Sequence, residues 1–223
     1  MKYKCFMLDH DDTLVASSRS IHYPAYCDMI AHFRPQVQPV SIEEFMNKCF
    51  NPGIERFYRE TYGFNDEELK EEYLMWREYV LKNNAPIFDG LKEVLTDYKK
   101  QGGIVVSHTH NHHDIVVRDF INLVGFEPDE IFSVDSDPEY VKPHTKSIDY
   151  LKNKYKLESK DMVMMDDLSY GYEMAKKASI DFIAPGFGIY SYDIKEFFLS
   201  RATYYIEDPK QLYTILGIKN TIR

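Results

Sequence analysis

The residues most able to do chemistry stand together near the N-terminus, in CFMLDHDDTLVAS (5–17). A short apolar run, Phe6-Met7-Leu8, stops abruptly at Asp9, Asp11 and Asp12, with Thr13 following. Such a run reads as a buried parallel strand. Strand side chains alternate faces, so Asp9 and Asp11 point the same way if the extended geometry persists past the run. Carboxylates held that close raise each other's pKa unless a cation or a proton lies between them. A hard dication such as Mg2+, which takes oxygen ligands, settles the repulsion. Read alone, the cluster is equally an acidic turn capping the next element.

Three further strand ends carry polar punctuation. Ile104-Val105-Val106 ends in Ser107, followed by His108-Thr109-His110; a hydroxyl and free backbone N–H groups there can hold phosphate oxygens. Lys142-Pro143 stands at a helix entrance, where a lysine aimed at the acidic site would neutralise a bound anion. Met162 to Met165 ends in Asp166-Asp167, which repeats the opening logic. The charge balance of two acidic clusters with one lysine favours a divalent cation.

These groups need a frame. From Pro86 onward, helices predicted at Phe88 to Gln101, His112 to Val124, Thr145 to Tyr155 and Gly171 to Ala178 alternate with apolar strands at Gly103 to Ser107, Ile131 to Val134, Met162 to Met165 and Asp181 to Ala184. A last strand, Thr203 to Ile206, precedes a helix at Pro209 to Leu216. That alternation predicts an α/β fold, doubly wound, with a mostly parallel sheet and helices on both faces. Open sheets of this kind bind ligands at the carboxyl ends of their strands. Residues 18–86 contain no convincing strand. They read as helices at Ile21 to Phe33, Ser41 to Phe50, Gly53 to Tyr62 and Asn65 to Lys82, with Ser41 placed three residues before Glu44 as in a capping box. The organisation is therefore a core of residues 1–17 and 87–223 with a helical insert at 18–86, hinged near Ser17–Ser20 and Pro86–Gly90.

The totals narrow the function classes. A chain of 223 residues with net charge −9 is a poor non-specific binder of nucleic acid or anionic membrane. Cys5, Cys27 and Cys49 are odd in number and widely spaced, which points to a reducing, cytoplasmic setting rather than a disulfide framework. The apolar part of MKYKCFMLDH is too short for a signal peptide, and no run approaches a membrane span.

In order and spacing, DHDDTLVAS, IVVS, KP and MMDDLSYG resemble the four motifs of the haloacid dehalogenase superfamily, and the insert resembles its C1-type cap on a Rossmann-like core. The D-D-x-x-x-G form is similar to the branch of β-phosphoglucomutase and the phosphoglycolate phosphatases. The resemblance implies that Asp9 attacks phosphorus to give an aspartyl-phosphate, with Asp11 protonating the leaving oxygen and then activating water. It implies Mg2+ held by Asp9, Asp11 through its backbone carbonyl, Asp166 and Asp167, and phosphate cradled by Ser107, by the amides of Asp11 and His108, and by Lys142. Thr13 would support the loop. The implied substrate is a small phosphorylated metabolite, handled by a monomer or homodimer without nucleic acid or membrane.

Three positions depart from the family pattern. Asp12 stands where glycine is usual, His10 where Phe or Leu is commoner, and Gly171 where another form of the motif has an acid. His108, His110, His112 and His113 invite a transition-metal reading, but the better expectation is a polar loop lining the pocket. In the insert, His22, Arg34, Lys48, Asn51 and Arg56 are the candidates to reach a leaving group, with the Asn51-Pro52-Gly53 loop foremost. The alternatives are a phosphosugar mutase, in which a histidine follows the first motif one residue closer than His22 does, and a non-catalytic binding protein on the same fold.

Overall fold

The computed structural model describes residues 1–221. Six parallel strands, β1 (Cys5–Leu8), β2 (Ile104–His108), β3 (Glu130–Phe132), β4 (Met162–Met165), β5 (Asp181–Pro185) and β6 (Tyr204–Ile206), form one sheet in the order β3-β2-β1-β4-β5-β6. The chain reverses its direction of travel across the sheet after β3, so β1 and β4 are neighbours and their C-terminal ends flank the switch point where such folds bind ligands. In register, Leu8 stands between Ser107 and Met165. The residues that follow Leu8 and Met165 are the two acidic clusters, and Ser107 is level with both strand ends.

Period-two alternation explains why strands this short hold the sheet. Phe6, Leu8, Val105, Val163, Met165 and Ile183 pack on one face, against α5 (Leu91–Lys100), α6 (His113–Asp119) and α10 (Leu212–Leu216). Cys5, Met7, Val106, Met162, Met164 and Phe182 pack on the other, against α7 (Lys146–Tyr155), α8 (Ser169–Ala178) and α9 (Tyr192–Leu199). Each such side chain, once fully buried, contributes about 1.5–3 kcal/mol.

Between β1 and β2 lies a block of four helices, α1 (Tyr23–Phe33), α2 (Ile42–Phe50), α3 (Ile54–Tyr62) and α4 (Asp66–Lys82). It has its own aromatic core, in which Tyr26 stacks on Phe45 with centroids 4.7 Å apart and bonds to the Tyr62 hydroxyl. The Ser41 side chain accepts from Glu44 N, and Asn65 with Glu68 forms a reciprocal capping box. Across the cleft α4 is tied to α6 by the Arg77–Asp114 ion pair and by the Arg118 guanidinium, which donates to the Val80 carbonyl.

Three local differences from the sequence reading have physical causes. Helix α1 is preceded by a single π-turn, Ser18–His22, and α6 continues into a second, Phe120–Val124. Strand β3 is short and begins one residue earlier than expected, because the Asp129 carboxylate and backbone amide both bind Val105 and start the pairing there. Helix α9, absent from the sequence reading, starts where Ser191 accepts from Ile194 N and buries Ile194 and Phe198.

Candidate active site

The strand ends bring Asp9, Asp166, Asp167 and Lys142 into one buried cluster. Asp9 leaves β1 with its amide bonded to the Met165 carbonyl, which fixes its position against β4. Lys142 Nζ donates to Asp9 Oδ1 at 2.9 Å and to Asp166 Oδ2 at 2.6 Å, and all three side chains are almost fully buried. Burial alone would lower the lysine pKa; the two carboxylates outweigh that and push it up, so the ammonium is fixed in charge. Asp166 also accepts from Leu168 N, and Asp167 accepts from Thr13 Oγ1 at 3.4 Å. Burial and the neighbouring carboxylates push the Asp167 pKa well up.

Three carboxylates crowded round one ammonium at the floor of the cleft repel one another unless a proton or a cation lies among them. Oxygens of Asp9, Asp166 and Asp167 all lie within 4.8 Å of one another, and among the described residues they form the one cluster able to share an ion. This donor set suits a hard dication. Gly171 belongs to the same construction. A Cβ there would stand 2.2 Å from Asp166 Oδ2, so only glycine lets α8 pass so close to that carboxylate.

Asp11 faces elsewhere. Its carboxylate accepts from Asn111 Nδ2 and from His22 Nε2, both at 3.0 Å, and lies 3.4 Å from His10 Nδ1. Burial would raise its pKa; the adjoining histidines overcome that and hold it well below the usual carboxylate range. Trp76 Nε1 donates to His22 Nδ1 at 3.1 Å, which leaves His22 Nε2 as the donor to Asp11. The π-turn at Ser18–His22 matters here. A π-turn takes one more residue than an α-turn, so His22, one position beyond the mutase spacing, still meets Asp11. His10 is itself buried, and its Nε2 bonds to Asp119 Oδ2 at 3.0 Å. Burial lowers its pKa, but the Asp11 and Asp119 carboxylates more than reverse this and raise it to about 10.

Asp12 has φ +49°, the left-handed conformation that favours glycine. Its carboxylate accepts from Ser18 N at 3.0 Å and so caps the start of the helical block. Ser107 Oγ is fully buried and has no hydrogen-bond partner among the described residues. An orphaned hydroxyl near a strand end, level with Leu8 and so one residue short of Asp9, has its donor free for an incoming oxygen. The His108 ring, by contrast, packs on Phe132 and bonds to Ser147 Oγ at 2.9 Å, which leaves only the His108 backbone for the role the sequence assigns it.

The other histidines of the loop disperse. His110 bonds to the Lys142 carbonyl and lines the cleft, while His112 bonds to Asp135 and to Tyr73. Of the insert candidates, only His22 enters the site. Arg34 is spent on Glu68, Arg56 on Glu60 at the surface, and Asn51 is exposed, so the Asn51-Pro52-Gly53 loop borders the cleft through Gly53. The sequence reading missed Asn111, Asp119 and Trp76 as partners of this site. Asn111 was within reach, since it lies three residues past the end of β2; the other two lie within helices, where sequence spacing gives no sign of a partner so distant along the chain.

The doubly wound parallel sheet, with a buried charged cluster at its switch point, is an α/β fold of the Rossmann-like kind. Residues 6–185 match the haloacid dehalogenase-like hydrolase family, and the chain belongs to it. No curated protein matches the sequence. Among solved structures, the chain is similar to a predicted phosphoglycolate phosphatase from Haemophilus somnus 129pt, at 19% identity and TM-score 0.78 over 97% of this chain and 99% of that one. It is also similar to a haloacid dehalogenase-like family hydrolase from Streptococcus pneumoniae, at 18% identity and TM-score 0.76 over 96% and 99%. A predicted phosphatase from Clostridium acetobutylicum is 22% identical, with TM-score 0.72 over 97% and 99%. No helix among the described residues is long and apolar enough to cross a membrane.

Proposed function

We propose that this hydrolase is a Mg2+-dependent phosphatase of small phosphomonoesters, with residues 1–17 and 87–223 as its catalytic core and 18–86 as a cap over the leaving group. The carrying observation is the buried Asp9 carboxylate, paired with Lys142 and grouped with Asp166 and Asp167. Asp9 would attack phosphorus as the P–O ester bond breaks, forming an aspartyl-phosphate. Lys142 and the Ser107 hydroxyl would hold phosphoryl oxygens, so most of the rate comes from positioning and electrostatics.

Asp11 would give its proton to the leaving oxygen, then take one from the water that releases phosphate from Asp9. Asp11 is ionised in the free site. A phosphoryl dianion arriving beside it adds like charge and pushes the carboxyl toward its acid form. Asp9, Asp166 and Asp167, with the Asp11 carbonyl, would hold Mg2+, which supplies charge stabilisation at the phosphoryl oxygens.

The mutase alternative needs a second cationic phosphate site in the cap. No lysine or arginine among the described residues lines the cleft, which favours hydrolysis. The test is phosphate release from a panel of phosphomonoesters with Mg2+, with EDTA, and with Asp9→Asn. Metal-dependent release abolished by Asp9→Asn is expected. Release that survives Asp9→Asn would overturn the reading.

A further inference from the structure

The cleft between core and helical block has a volume of about 520 Å3, and its two ends differ in chemistry. The strand-end side carries the carboxylates. The helical side is walled by Met29, Met46, Tyr58, Tyr73 and Trp76, and among the described residues its one carboxylate is Glu72, with the His22 ring behind Trp76. Tyr73 and Trp76 stand with ring centroids 5.8 Å apart, and Tyr58 is buried. Glu72 is half-buried beside these rings and is in none of the ion pairs among the described residues. Burial pushes its carboxyl up to about 7, with a hydrogen bond from Tyr58 only partly offsetting this.

A leaving group with its own carboxylate or second phosphate would meet Glu72 and no lysine or arginine among the described residues, while the two histidines of the cleft, His22 and His110, are engaged with Asp11 and the Lys142 carbonyl. A cation would meet the opposite: aromatic faces that attract it and a desolvated acid lacking a counter-ion. We propose that the leaving group is an alcohol bearing a positively charged amino or quaternary ammonium group, seated among Tyr58, Tyr73 and Trp76 with Glu72 as its counter-ion. This rests on the phosphatase reading for the phosphate end, and names the substrate class at the other end.

The test compares choline phosphate with its uncharged isostere 3,3-dimethylbutyl phosphate and with the anionic phosphoglycolate, using p-nitrophenyl phosphate as a generic ester. Choline phosphate is expected to exceed the isostere in kcat/KM by about tenfold, and Glu72→Gln is expected to collapse that ratio. Equal rates for the charged and uncharged esters, a preference for phosphoglycolate, or a ratio unmoved by Glu72→Gln would overturn the proposal while p-nitrophenyl phosphate turnover kept the phosphatase reading intact. Silence toward every ester would instead sink the phosphatase reading. The cage is then read directly from the emission of Trp76, the chain's single tryptophan. Choline should perturb that emission where 3,3-dimethylbutan-1-ol does not, and Glu72→Gln should abolish the difference; an equal response to both alcohols, or to neither, overturns the cage.

Discussion

At the sheet end of the cleft, each charged group is anchored by main chain. Asp9 follows β1 and is bonded to β4, Asp166 and Asp167 follow β4, and Ser107 lies within β2. At the helical end the groups are held through side chains of the helical block: Trp76 by the Tyr73 ring and its bond to His22, Glu72 by Tyr58. The first construction tolerates almost no change, because strand register fixes distances between carboxylates. The second can change its lining without moving the sheet. Under the proposed function this division would let the helical block set specificity over a generic reaction.

The sharpest way to break the comparison is to alter the sheet end. Asp9→Asn should lower turnover by about 10^3-fold or more with the fold unchanged by circular dichroism. Turnover that persists would place the nucleophile elsewhere. Lys142→Met should act on stability as well as rate. It leaves Asp9 and Asp166 buried without their cation, a loss of about 3–5 kcal/mol, seen as a lower denaturation midpoint. Adding Mg2+ to the EDTA-treated wild type should raise its midpoint, by about 2.7 kcal/mol at a hundredfold excess over Kd, and Asp167→Asn should blunt that rise. A midpoint indifferent to Mg2+ would remove the metal from the site.

The same division decides what was legible in the sequence. The strands, their order of chemistry and the acidic ends could be read because an apolar run that stops at a carboxylate carries its position with it. Asp12 could be seen as a departure, but its left-handed backbone and its bond to Ser18 could not. The direction of the His108 ring depends on Phe132 and Ser147, which only tertiary packing brings near. His22 looked misplaced by one residue because a π-turn has no sequence signature. A loop between helices of the insert is expected to face the cleft, but Asn51 and Arg56 turn to the surface and only Gly53 borders it, and α9 is hard to read because its eight residues follow a Gly- and Tyr-rich stretch that reads as loop.

At the helical end, Trp76→Phe keeps the ring and deletes the N–H donated to His22. One hydrogen bond in a partly buried setting contributes about 1 kcal/mol, so kcat should fall about three- to tenfold. The variant frees His22 Nδ1 for protonation, and a cationic His22 would hold Asp11 ionised more strongly. The acid side of the rate–pH profile should therefore shift, while Trp76→Ala adds a loss in KM by opening the cleft. A profile unchanged in Trp76→Phe would reduce Trp76 to wall packing.

The smallest effect sits at the residue after Ser107, at the end of β2. His108 is wholly buried, and burial together with the Lys142 charge depresses its pKa well below 6.5. The folded protein therefore keeps this ring neutral, while the unfolded chain takes up a proton below about 6.5. More protons bound by the unfolded state means stability that declines as pH falls through that value. His108→Gln retains a polar side chain for Ser147 but has nothing to titrate, so its stability should fall less steeply between pH 6.5 and 5.5, by about 1 kcal/mol over that unit. Identical slopes for the two proteins would mean that His108 takes its proton without unfolding, and that the end of β2 is wetter than its burial implies.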